Sequence, residues 1–227
     1  MSNTVKKNLT KVIILVAIVA VFYALWTAGL VATVRPIEAA KTVKPGDVGS
    51  SSAAAQDQTS YVDQIWDSKL MPTVKEDAVD LDTLLSELIS NEAEASKKYG
   101  HKISGPYNFL VKFEGVVKEV NTKSRAGKVT LDVPLKNARP DVIVQIGPVI
   151  QGYSVRDAVG FIRFEQFTNQ IEFADVADQI NNRLYEQVLK NIDFNTVQGK
   201  TLSVYGAFTL DKGLSRLVIT PVIIEVK

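Results

Sequence analysis

The 227-residue sequence has no cysteine and a single histidine, His101. The first absence excludes disulfides, a thiolate nucleophile, iron–sulfur clusters, thiolate zinc sites and a lipid-modified cysteine. The second excludes a multi-histidine metal centre. There is no phosphate-cradling glycine loop, no GxGxxG, no GxSxG elbow and no internal repeat. An excess of one charge is also missing, with 26 basic against 25 acidic residues. Hydrophobic residues make up 46 % of the chain, which is enough for a packed core and excludes wholesale disorder.

The even charge balance hides an asymmetry. Residues 1–35 hold Lys6, Lys7, Lys11 and Arg35 and no acid, so the remainder carries 22 basic against 25 acidic groups. A mildly acidic body argues against phosphate-rich partners, and no nucleic-acid partner is expected. From Val12 to Val34 no residue is charged. As a helix this run spans ~35 Å, enough for a bilayer core about 30 Å thick. Tyr23 and Trp26 suit an interface, and the lysines before the run keep the N-terminus in the cytoplasm. A cleaved signal peptide with Thr27-Ala28-Gly29 as its cleavage site is the other reading, but the run is longer than that segment needs. The expected organisation is a cytoplasmic N-terminus (1–11), a transmembrane anchor (12–34), a flexible linker (35–60), a helical segment (61–104) and a β-barrel (105–227). That makes a single-pass protein of the inner membrane with its body in the periplasm.

Ser60 is the expected cap of a helix that Met71-Pro72 breaks. Leu81, Leu84, Leu85, Leu88 and Ile89 follow at i, i+3, i+4, i+7, i+8, with Asp80 as N-cap. Asn91 caps a third helix that ends at Gly100. From Phe109 the apolar period becomes two. Strands are expected over 109–120, with a bend at Gly115, then over 128–133, 142–146, 201–210 and 217–226. Between the third and fourth strands, Phe173, Val176, Ala177, Ile180, Leu184, Val188 and Ile192 form one helical stripe, starting at Asn169 or nearer Ala174. This order and the glycine bend predict an α+β body. It is an OB-like five-stranded antiparallel barrel with N-terminal helices packed on it, preceded by one transmembrane helix. An antiparallel sheet with helices on one face is the alternative.

Three places have residues suited to chemistry. The turn NTKSRAG carries Ser124 and Arg125, fit for a carboxylate or phosphate, or simply a solvated hairpin turn. The segment 147–173 puts Phe161, Phe164, Phe167 and Phe173 among Arg156, Asp157, Arg163, Glu165, Thr168, Asn169 and Gln170. Aromatic platforms beside polar edges suit a sugar, though Arg156 and Asp157 equally suit a role in tying down backbone. His101 lies near Tyr99, Tyr107 and Asn108 and would need Ser104, Ser124 or Ser154 to build a hydrolase. Glu165, Glu172 and Asp175 are loose candidates for a glycosidase pair.

The stretches YVDQIWDSKLMPTVKEDAVDL, KYGHKISGPYNFLVKFEGVV, NTKSRAGKVTLDV, QIGPVIQGYSVRDAVGFIRFEQFTNQIEFADV, GKTLSVYGAFTL and ITPVIIEV together resemble an uncharacterised bacterial family of predicted periplasmic lipoproteins, over residues 59–227. Members tend to be encoded beside sugar ABC-transporter components. The resemblance therefore implies an accessory role in sugar uptake, with the transporter's permease or its binding protein as partner. No catalytic residues are established for the family, so none carries over. Ser124, Arg125, Gly147, Pro148, Arg156, Asp157, Phe164, Phe167, Thr168, Asn169 and Gln170 match its pattern and are the expected ligand or partner surface. The chain departs from the lipoprotein label by having no cysteine. The expected function is a membrane-anchored, non-catalytic periplasmic accessory protein, with a sugar-binding domain and then a hydrolase as alternatives. No cofactor or metal is expected.

Overall fold

The structure, a computed structural model, describes residues 51–211 and 213–227, with side chains from Gln58 onward. The expected anchor (12–34) and most of the expected linker lie outside the described residues. Among the described residues no helix is long and apolar enough to cross a membrane.

The first helix, α1 (Ser51–Ile65), starts well before Ser60. Residues 51–60 therefore belong to a helix and not to the expected linker, and Ser60 is not its cap. Pro72 does not break the chain either. A π-helical turn (Trp66–Leu70) leads straight into α2 (Met71–Asp77), and the Met71 N–H donates to Trp66 O five residues back. Pro72, which has no N–H to donate, sits in the first turn of α2, where an unpaired N–H is the norm.

A two-residue strand, β1 (Val79–Asp80), precedes α3 (Leu81–Ser90), whose Asp80 N-cap accepts the Thr83 N–H at 3.0 Å. In α4 (Glu92–Tyr99) the Asn91 side chain caps at 3.2 Å. Both caps match the expectation from sequence. A second short strand, β2 (Gly100–His101), follows.

The barrel strands are β3 (Asn108–Asn121), β4 (Lys128–Asp132) and β5 (Asp141–Gln145), then β6 (Thr201–Thr209) and β7 (Arg216–Val226). Between them lie α5 (Ser154–Ala158) and α6 (Gln170–Leu184). The strands pair in the order β3-β4-β5-β7-β6, and β6 returns to β3, so five strands close into a barrel. β3 pairs with β6 from Asn108 to Val116 and with β4 from Val116 to Asn121. Gly115 lies at this changeover: a Cβ there would come within 2.9 Å of Val133 Cγ2 and 3.1 Å of Asp132 O. One expectation is corrected: the barrel is not wholly antiparallel, because β5 and β7 run parallel. Two helices and then β6 intervene between them, and the antiparallel β6–β7 hairpin turns the chain back so that β7 runs beside β5 in the same direction.

Two apolar cores share the barrel wall. Phe109, Val111, Phe113, Val204 and Phe208 face inwards, with the Phe109 and Phe208 rings stacked at 5.3 Å. Leu84, Leu85 and Leu88 of α3 join this core, as do Leu189, Phe194 and Val197 after α6. On the outer face, Leu110, Ala207 and Val222 meet Val62, Trp66, Leu70, Val74, Val155, Ile162, Val176 and Ile180 of the helical layer. The N-terminal helices pack on the barrel as expected.

Phe208→Ala should destabilise the fold by about 3–5 kcal/mol, since it empties a fully buried ring position. Val116→Ala, on an outward position 44 % exposed, should stay within about 0.5 kcal/mol. Urea unfolding of both variants checks the contrast.

Candidate functional site

β5 ends at Gln145, and the chain then runs irregularly to α6. Buried amides and hydroxyls hold this run to the barrel. Gln145 Oε1 accepts the Gln151 N–H at 2.8 Å, and its Nε2 donates to Gln151 O at 3.0 Å and to Thr220 Oγ1 at 2.9 Å. Ser154 Oγ lies 3.1 Å from Thr220 Oγ1, and Asn181 Nδ2 donates to Gly152 O at 3.0 Å. A backbone segment taken out of water must have such partners.

Beyond these ties stands Arg156, only 5 % exposed. Its Nε and Nη2 both lie 2.7 Å from Asp157 Oδ1, and its Nη1 donates to Phe173 O at 2.8 Å. The guanidinium sits 3.6 Å over the Phe173 ring and 4.7 Å over that of Tyr153. The ion pair with Asp157 lies within α5, while the bond to Phe173 O and the contact with the Phe173 ring join that buried cation to α6.

These residues form one wall of a cleft of about 630 Å³, which Ile103, Ser104, Phe164, Glu165, Gln170 and Ala174 complete. A recess of about 380 Å³, lined by His101, Lys102, Gly160 and Arg163, shares Ile103, Asp157, Phe164 and Glu165 with it. Tyr153 and Phe164 are 45 % and 38 % exposed, so ring faces are available to a ligand. Behind them Phe173 meets Phe164 edge-on at 5.7 Å and Phe167 at 5.6 Å, and Phe167 meets Tyr61 of α1 at 5.3 Å. Gly160 has φ +70°, and a Cβ there would fall 2.5 Å from His101 Cε1, so glycine lets the imidazole lie against this turn.

The structure brings Arg156, Asp157, Phe164 and Gln170 to one cleft. Phe167 supports it from behind. Thr168 and Asn169 serve the helix instead. Asn169 Oδ1 accepts the N–H groups of Ile171 and Glu172 at 2.9 and 3.0 Å, and Glu172 Oε2 accepts the Thr168 N–H at 2.9 Å. Asn169, rather than a residue near Ala174, therefore starts α6. Ser124 and Arg125 are not among the lining of this cleft. Their turn packs on Gly147, where a Cβ would overlap Arg125 O, and Ser124 lines a separate recess of about 180 Å³ with Pro148 and Tyr185. Tyr153 and Ser104 also line the cleft, and Lys102 lines the recess. Nothing local in KIS marks residues 102–104 as sharing a cavity with Phe164, which belongs to a distant segment of the chain.

His101 makes no hydrogen bond to a serine among the described residues. Glu172 is occupied by the helix cap, and Asp157 by Arg156. Burial and the neighbouring Asp175 charge push the Asp178 carboxyl above its ordinary value, partly offset by Arg156. Burial likewise raises Tyr61, against a hydrogen bond with Gln166.

Arg156→Leu strands the Asp157 charge and should cost about 3 kcal/mol or more in denaturant unfolding. Asp178 binds its proton more tightly folded than unfolded, so its carboxylate weakens the fold above the raised pKa. Asp178 is an exposed residue whose charge solvent screens, so Asp178→Asn should raise the melting temperature at pH 7 only slightly. The gain should vanish below the ordinary value of 3.8, where both states are protonated.

A crystal structure of an OB-fold protein from Thermotoga maritima is similar, with a TM-score of 0.55 and 18 % identity, covering 77 % of this chain and 97 % of that one. That likeness concerns the fold and agrees with the five-stranded closure. No curated protein matches the chain. Residues 19–225 match the family described as Predicted periplasmic lipoprotein (DUF2291). The match spans both the barrel and the helices that build the cleft, and the chain belongs to this family of predicted periplasmic lipoproteins.

Proposed function

We propose that this chain is a non-catalytic periplasmic accessory protein of a sugar-transport system, and that the cleft holds a small polyhydroxylated ligand. The observation that carries this reading is the composition of the cleft: exposed faces of Tyr153 and Phe164 beside the polar edges of Glu165, Gln170 and Ser104. A sugar has an apolar ring face and a rim of hydroxyls, and such a site meets both. The uncharged run 12–34 anchors the body to the inner membrane, with the transporter's permease or its binding protein within reach. A hydrolase is less well supported, because among the described residues no nucleophile is seen with a base poised on it.

A second reading has one observation of its own. Ile171, next to the cleft residue Gln170, is 74 % exposed, which favours a protein partner covering the same mouth.

A thermal-shift screen of the full chain against pentoses, hexoses, sugar alcohols and sugar phosphates should find one compound that stabilises it. Ligand at 100 times its dissociation constant adds about 2.7 kcal/mol. Tyr153→Ala and Phe164→Ala should abolish that shift while the protein stays folded. A flat screen of folded protein would overturn the ligand and leave the protein partner.

A further inference from the structure

The recess beside the aromatic cleft has a different chemical character, set by which of its charges are already matched. Asp157 faces both cavities, but Arg156 neutralises it through two 2.7 Å contacts on one carboxylate oxygen. Lys102 and Arg163 form no ion pair among the described residues. The Lys102 ammonium lies over the Tyr107 ring, 5.4 Å from its centroid. The Arg163 backbone N–H donates to Gln166 Oε1 at 2.6 Å, which fixes the start of the turn Phe164–Gln166. Glu165 is the one unmatched acid in the lining, against two unmatched cations and the His101 imidazole.

We infer that the ligand is an acidic sugar, whose carboxylate or phosphate lies in the recess at Lys102 and Arg163 while its ring lies against Phe164 and Tyr153. The inference rests on the sugar reading of the cleft and specifies the ligand further. Phe164 and Glu165 line both cavities, so one molecule reaches from the ring platform to the cations. Lys102 and Arg163 are both exposed, so a neutral sugar would leave them to water, whereas an anionic group gains charge-assisted hydrogen bonds from them.

The test uses the full chain and three ligands that differ in one substituent: glucose, glucuronate and glucose 6-phosphate. Calorimetry should show one anion binding at least tenfold more tightly than glucose, and which one separates carboxylate from phosphate. The double variant Lys102→Gln/Arg163→Gln should erase that advantage and leave glucose affinity unchanged within about twofold, since each charged contact is worth about tenfold. Acetate and inorganic phosphate are added separately while the amide signals of Lys102 and Arg163 are followed by NMR. Equal binding of glucose and the anions, or an advantage that survives the double variant, overturns the acidic sugar but leaves a neutral sugar in the cleft. If no sugar binds, the sugar reading fails as well. Saturable shifts with a simple anion would then retain the anion recess alone, and their absence would overturn it too.

Discussion

The fold depends on one strand paired along both of its edges. β3 gives its first half to β6 and its second half to β4, so closure of the barrel rests on this change of partner at Val116. Gly115, beside the changeover, lets the end of β4 approach more closely than any side chain would allow. The short strands β1 and β2 also pair with β3, which brings the helices before the barrel against its wall. Position 110 of the same strand belongs to the outer core, while 109 and 111 belong to the inner one. Alternation along one strand thus couples two packed layers.

The cleft is a by-product of how the long β5–α6 connection is tied down. The Gln145–Gln151–Thr220 bonds and the Arg156 cluster satisfy the polar groups of a buried connection. Satisfying them leaves Tyr153 and Phe164 at the surface and Arg163 facing the β2 segment. Arg156 is therefore first a positioning residue. Its guanidinium holds the Tyr153 and Phe173 rings in place.

Family membership gives the periplasm as the setting, and the sequence complicates the lipoprotein part of the description. None of its 227 residues is a cysteine, so no lipid thioether is built on it.

Periodicity, caps and turns were legible in the chain itself. The Asp80 and Asn91 caps, the stripe of α6 and the order of strands around it are local patterns, and local patterns survive folding where one face must be buried. Pro72 misled because a π-turn upstream absorbs it, and no residue type announces such a turn. The parallel β5–β7 pair is a property of barrel closure rather than of either strand. For the site, composition alone marked 147–173 as mixed aromatic and polar. Only the tertiary structure divided that set, sending Asn169 and Thr168 to a helix cap and Arg156 to a buried tie. It also set Lys102 and Arg163 beside Phe164, and kept Ser124 and Arg125 apart. The physical reason is range: a cap or a stripe is decided within a few residues, whereas a cleft is decided by which distant segments the barrel forces into contact.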